Sequence, residues 1–171
     1  GRDGKEYALV GASGGLIIVD VSNPDNPQQI VQIPMVDQSV REVQTFSHYA
    51  YMTTATGINS EPGLLIVDLK NLPAANLDYH IYTGDGEIEN QLGIIHTLHV
   101  DRKKEYLYLY GSTLFYGGAI VLNLHNDPYH PEYAGNYSEF GYIHDGFVEN
   151  DTLYAAHIGQ SMISIVDMHD K

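Results

Sequence analysis

The chain has no cysteine, no tryptophan and few cations: 8 lysines and arginines stand against 22 aspartates and glutamates in 171 residues, a formal net charge of −14. Without thiols it can form neither disulfides nor thiolate metal sites. Without a basic stripe it has little to offer a phosphate backbone, so nucleic acid is not an expected partner; the one local basic cluster, "DRKKE" at Asp101 to Glu105, reads as a hairpin turn. No apolar run approaches the roughly 20 residues of a membrane helix, and direct membrane insertion is not expected. Helical periodicity is nearly missing too. What remains is short segments rich in Tyr, Leu, Ile and Val between Gly, Pro, Asn and Asp turns, which predicts an all-β chain with an acidic, soluble surface.

Those segments repeat. "GLIIVDVSNPDNP" at Gly15 to Pro27 returns as "GLLIVDLKNL" from Gly63, "GAIVLNLHNDPYHP" from Gly118 and "MISIVDMHD" from Met162. The acid or its amide falls at Asp20, Asp68, Asn123 and Asp167, giving successive separations of 48, 55 and 44 residues. A period of about 40 to 50 residues is that of propeller blades. A second phrase precedes each acid: "EYALVG" at Glu6, "HYAYMT" at His48, "EYLYLYG" at Glu105 and "TLYAAH" at Thr152. A third opens three of the repeats: "VREVQT" at Val40, "IHTLHV" at Ile95 and "IHDGFV" at Ile143. Each unit therefore reads as strand, strand, strand and a polar return with room for a fourth.

The expected architecture is a β-propeller of about four incomplete blades, taken as a single segment 1–171 with blades at about 1–36 (partial), 37–91, 92–139 and 140–171 (partial). It starts on a second strand and stops on a third. A ring needs roughly four to eight blades, so a larger ring, or an additional chain or segment completing this one, is the expected setting. The stretch from Asn71 to Gln91 reads as the longest loop, and its "TGDGEIEN", Thr83 to Asn90, as an acidic loop without the ligand spacing of an EF-hand.

The residues of "GKEYALVG" with "GLIIVDVSNPDNP", then "VREVQTFSHYAYMTT" with "GLLIVDL", then "GIIHTLHVDRKKEYLYLYG" and "GYIHDG", and last "MISIVDMHDK" resemble the LVIVD repeat, and their order is similar to the choice-of-anchor B family of surface-attached β-propellers. The resemblance implies an exported protein held at the cell surface and carries no defined activity. Asn123 in place of Asp, and "KNLPAAN" in place of the Ser-Asn-Pro turn, depart from the pattern.

Aligning the repeats on the Tyr-rich strand makes Arg41, His96 and His144 equivalent, each beginning an opening strand and followed by Glu42, Thr97 and Asp145. First strands of propeller blades line the central channel, so these side chains are expected to converge there, with His157 bordering them. Arg41, Glu42, His96, His144, Asp145 and His157 form the expected ligand-binding set. His96, His144 and Asp145 are candidate ligands for a divalent metal ion, since imidazole nitrogen and carboxylate oxygen are its common donors. His99 points the other way and is expected between blades. His48, His80, His125, His130 and His169 fall in turns or loops.

The repeated acid has a structural role in view: a carboxylate or amide oxygen ending a strand accepts backbone N–H groups of the following turn. No nucleophile elbow, HExxH pair or phosphate-cradling Gly loop is present. The leading expectation is a non-enzymatic scaffold that binds a protein or glycan partner at a ring face; the alternative is a metal-dependent hydrolase or lyase working at the channel mouth.

Overall fold

A computed structural model describes residues 4–35, 42–54 and 62–169. Its fourteen strands form four antiparallel sheets, and no α-helix occurs among the described residues. The first sheet is β1 (Tyr7–Ala12), β2 (Gly15–Asp20) and β3 (Gln28–Pro34). The second is β4 (Val43–Phe46), β5 (Tyr49–Thr53), β6 (Leu64–Asp68) and β7 (Tyr79–Tyr82). The third is β8 (Thr97–Asp101), β9 (Tyr106–Tyr110), β10 (Ala119–Asn123) and β11 (Glu132–Tyr137), and the fourth is β12 (Asp145–Glu149), β13 (Thr152–His157) and β14 (Met162–Asp167). Within each sheet spatial order follows chain order, as in the blade of a propeller, and the whole is an all-β, propeller-like arrangement.

The repeat seen in the sequence is a repeat of register. Tyr7 lies opposite Asp20, Tyr49 opposite Asp68, Tyr106 opposite Asn123 and Thr152 opposite Asp167. At each site the side-chain oxygen accepts the N–H two residues on: Ser22 onto Asp20 at 3.0 Å, Lys70 onto Asp68 at 2.8 Å, His125 onto Asn123 at 2.8 Å and His169 onto Asp167 at 2.9 Å. The acid is thus a turn-former, and Asn123 does the same work with its amide oxygen. Lys5 beside Asp20 adds a 2.7 Å ion pair that lowers that carboxyl to about 2. "DRKKE" is a hairpin turn between β8 and β9, closed by Lys103 and Lys104 N–H groups on Asp101 at 3.0 Å each.

Counting from the ladder pair, alternate residues face opposite sides of each sheet. The first and third positions make one face: Ala50 and Met52 with Val67 and Leu65 in the second sheet, Leu107 and Leu109 with Leu122 and Ile120 in the third. The second and fourth make the other, led by Tyr51 and by Tyr108 and Tyr110, all fully buried. Three apolar clusters result, one between each successive pair of sheets. Because β6 and β10 are covered on both faces, they are continuous apolar runs rather than alternating ones.

The stretch from Asn71 to Gln91 is not a plain loop, as its polarity suggested. It contains β7, hydrogen-bonded to β6, and a 3-10 turn at Gly86–Ile88. As the outermost strand β7 needs only its backbone ladder and one buried ring, Tyr82, so His80 and Tyr79 disguise it in the sequence. Asp85 of "TGDGEIEN" accepts the Tyr82 hydroxyl and the Tyr133 N–H, tying this turn to the third sheet. No helix among the described residues is long and apolar enough to cross a membrane.

Candidate functional site

The inner strands β4, β8 and β12 run side by side, with β8 in contact with both others. An inner strand is bonded on one side by its own sheet; the N–H and C=O groups on its other side need partners. Two side chains that share a face, Glu42 just before β4 and Gln44 within it, supply them for β8. Glu42 accepts Leu98 N–H at 3.0 Å, while the Gln44 amide donates to Leu98 O at 2.9 Å and accepts Val100 N–H at 3.0 Å. The equivalent pair on β8 reaches β12: Thr97 Oγ1 donates to His144 O at 3.2 Å, and His99 Nε2 lies 3.1 Å from Val148 O. His99 thus sits between blades, as its alternation with His96 implied.

At one end of these strands the imidazoles meet. His96 stands one residue before β8 and His144 one before β12, each fixed by its own N–H on the neighbouring strand, to Tyr110 O and Ala156 O at 2.9 Å. Their ring centroids are 4.5 Å apart. Tyr142 flanks both, at 6.2 Å from His96 and 6.4 Å from His144. Gly111 makes this packing feasible: with φ +64° it follows β9 in a left-handed conformation, and a Cβ there would sit 2.7 Å from His96 Cβ and 3.0 Å from the Tyr142 ring. Burial and the neighbouring His144 push the His96 pKa below its ordinary 6.5, against the opposing pull of Asp145 and Glu42.

The expected ligand-binding set divides once placed. Arg41 lies outside the described residues. His96, His144 and the exposed Asp145 lie at the same end of β8 and β12, with Asp145 Oδ1 accepting the Gly146 N–H at 2.8 Å. Gly146 is itself the floor for a ring: a Cβ there would fall 2.5 Å from Tyr110 Cζ. Glu42 has its carboxylate turned onto β8, one oxygen on Leu98 N–H and the other on the Gln44 amide at 3.3 Å. His157 is fully buried at the end of β13. Its Nδ1 lies 3.0 Å from Tyr142 O and its Nε2 2.9 Å from Ser164 Oγ. The first bond requires Nδ1 to carry a proton, and the ring, held on both nitrogens, anchors the segment that carries Tyr142. Among the described residues no group of three or more histidine, aspartate or glutamate side chains is placed to hold a metal ion.

Three features escape a reading of the sequence. His80, expected in a loop, is half-buried on β7 and packs against Tyr129 at 4.5 Å and His130 at 5.2 Å, while Tyr129 stacks on Tyr49 at 5.6 Å. Burial and His130 lower its pKa. A cleft of about 470 Å³ opens between the first two sheets, lined among others by Tyr7, Leu9, Thr45, His48 and Lys70. Its lining comes from separate segments, so no local motif marks it. Tyr142 likewise lies in "GYIHDG" with only its two-residue spacing from His144 as a signal.

A comparison with curated proteins finds no match. Residues 5–32 match the LVIVD repeat, over β1, β2 and the first part of β3.

Proposed function

We propose that the protein is a non-enzymatic scaffold of the LVIVD-repeat type, exported and held at a cell surface as the likeness to the choice-of-anchor B proteins suggests, and that it binds a protein or glycan partner at the face where its inner strands end. The observation that carries this reading is the juxtaposition of His96 and His144 at 4.5 Å, walled by Tyr142 and edged by the exposed Asp145. Flat aromatic and imidazole faces beside a solvent-facing carboxylate suit a sugar ring or a side chain of a docked protein, where stacking supplies area and the carboxylate accepts hydrogen bonds. The surrounding backbone is already fixed by Gly111, by the buried His157 and by the Glu42 and Gln44 bonds, so little ordering is lost on binding.

The test is a glycan array together with cross-linking to intact cell surfaces, each run with the natural chain and with His96→Ala plus His144→Ala. Partner capture that disappears in the double variant while its thermal unfolding stays unchanged supports the reading. Capture indifferent to both substitutions contradicts the site. Near-stoichiometric zinc, manganese or iron in the purified chain, lost in the double variant, would replace the scaffold by metal-dependent chemistry.

A further inference from the structure

The turn from β9 to β10 lies at the end of the sheets where β8 and β12 begin. It holds three successive residues in the left-handed region: Phe115 at φ 49°, Tyr116 at φ 55° and Gly117 at φ 81°. Bulky side chains rarely take that conformation, and such strain collects where function requires it. Its effect is to send three consecutive residues to three different places. Phe115 lies nearly parallel to Tyr133 of β11, 11° apart with ring centroids at 6.3 Å. Gly117 fits against Tyr142, where a Cβ would fall 2.7 Å from the ring. Tyr116 between them is 87% exposed, although the third sheet has a sheet packed on either side of it. Tyr133 in turn lines a groove of about 520 Å³ between β11 and the Gly86–Ile88 turn, shared with the exposed Glu87 and with Asn136, whose Nδ2 donates to the Tyr133 hydroxyl at 2.8 Å. A strip therefore runs from Glu87 through Tyr133, Phe115, Tyr116 and Tyr142 to His96 and His144.

Charge selects the occupant. The described lysines and arginines, Lys5, Lys70, Arg102, Lys103 and Lys104, all stand at the opposite end: before β1, after β6 and in the turn from β8 to β9. At the aromatic end the described acids are Glu42, Asp85, Glu87, Glu89, Glu139 and Asp145. Glu42 and Asp85 are engaged by donors of β8 and β11. Glu87, Glu89 and Glu139 are exposed. Aromatic faces attract ammonium and guanidinium groups, and carboxylates beside them hold such groups in place. A neutral sugar gains nothing from that charge. We propose that the partner taken up at this face presents an extended protein segment bearing lysine and arginine, its cationic side chains lying on Tyr116 and beside Glu87. The inference rests on the reading of this face as the partner site and narrows that partner from protein or glycan to a basic peptide. Glu87, Tyr133 and Tyr116, which carry the recognition, belong to the second and third sheets, each flanked by sheets of this chain on both sides. The net charge of −14 draws a basic segment toward the molecule, and the aromatic strip decides where it settles.

The experiment measures binding of the natural chain to an array of short peptides of random sequence and to a glycan array, at about 0.1 M and about 1 M salt, which cuts the screening length from about 10 Å to about 3 Å. Tyr116→Ser, Glu87→Gln, Glu149→Gln at the opposite end, and His96→Ala plus His144→Ala are run beside it. The three single substitutions fall on exposed side chains, and circular dichroism verifies that every variant folds. Peptides rich in lysine and arginine are expected to be retained, less so at high salt. Tyr116→Ser is expected to raise their dissociation constants about tenfold and Glu87→Gln about threefold. Glu149→Gln removes the same charge elsewhere and is expected to change nothing measurable. The absence of basic peptides among those retained overturns the proposal. So does a loss in Glu149→Gln equal to that in Glu87→Gln, which marks attraction to net charge alone. Glycans retained by the natural chain and lost in the His96 and His144 double variant overturn the basic segment while the partner face stands. Binding that neither Tyr116→Ser nor the double variant weakens overturns both.

Discussion

Gln44 on β4 accepts the backbone N–H of Val100 on β8 at 3.0 Å, and its amide nitrogen donates to Leu98 O at 2.9 Å. A side-chain amide here substitutes for a peptide group of a strand, so two sheets that share no ladder are joined at their inner edges. Gln44→Ala leaves both β8 groups without partners at a half-buried site and is expected to cost about 1–3 kcal/mol. Urea denaturation followed by tyrosine fluorescence measures it; a loss below about 0.5 kcal/mol shows that water replaces the amide at no cost.

His96, packed beside His144, gives folding a pH dependence. The folded-state pKa of His96 is depressed below 6.5 by burial and by His144, against Asp145 and Glu42, with the Tyr142 ring as the remaining neighbour. The unfolded chain therefore takes up this proton first. The contribution is fully present above pH 6.5 and is lost as pH falls from 6.5 through the lower folded value. His80, depressed by burial and His130, acts in the same direction. Urea midpoints at pH 7.5 and 5.5 are expected to differ, and His96→Asn to narrow the difference. An unchanged difference in that variant shows that His96 does not contribute.

The repeated acid is a turn-former, so its charge is dispensable and its oxygen is not. Asp68→Asn is expected to be nearly neutral, since Asn123 holds the same place in the third sheet. Asp68→Ala removes the acceptor of the Lys70 N–H and costs about 1 kcal/mol. Thermal unfolding of the two variants side by side checks this; equal losses would mean that the charge, through His48 at 3.8 Å, is what counts.

Tyr108 and Tyr110 bury their hydroxyls without a hydrogen-bond partner among the described residues. Burial also pushes the Tyr110 pKa well up, which keeps the hydroxyl neutral. An unpaired buried hydroxyl costs about 1–3 kcal/mol, so Tyr110→Phe is expected to raise the melting temperature while leaving the ring in place over Gly146. A fall in melting temperature contradicts this.

Much of this was legible in the residues because a repeat fixes register, and register fixes which positions are equivalent. The acids, with Asn123 in the third sheet, fell at one ladder position, and matching His96 with His144 put two distant imidazoles in contact. What stayed hidden depends on neighbours that no local pattern names. Glu42 looks like a ligand in "VREVQT", yet the unbonded edge of β8 takes its carboxylate. His157 ends an alternating strand, and the Ser164 hydroxyl and Tyr142 carbonyl that hold it come from elsewhere. β7 hides because an outermost strand needs little apolar side chain. Ile163 and Ile165 in "MISIVD" are exposed although the buried β6 and β10 have much the same spelling, since a strand covered on both faces and one covered on a single face can be written alike.

The central claim is that successive sheets are joined at their inner strands by side chains bonded to backbone edges. Leu98 and Val100 N–H face away from their own sheet partner and meet Glu42 and Gln44 instead. Residue-resolved hydrogen exchange of these two amides tests the claim most directly. The account predicts slow exchange in the natural chain and fast exchange at Leu98 and Val100 alone in Glu42→Ala plus Gln44→Ala, with the β8 to β9 ladder still protected. Fast exchange in the natural chain, or protection that survives both substitutions, would contradict it.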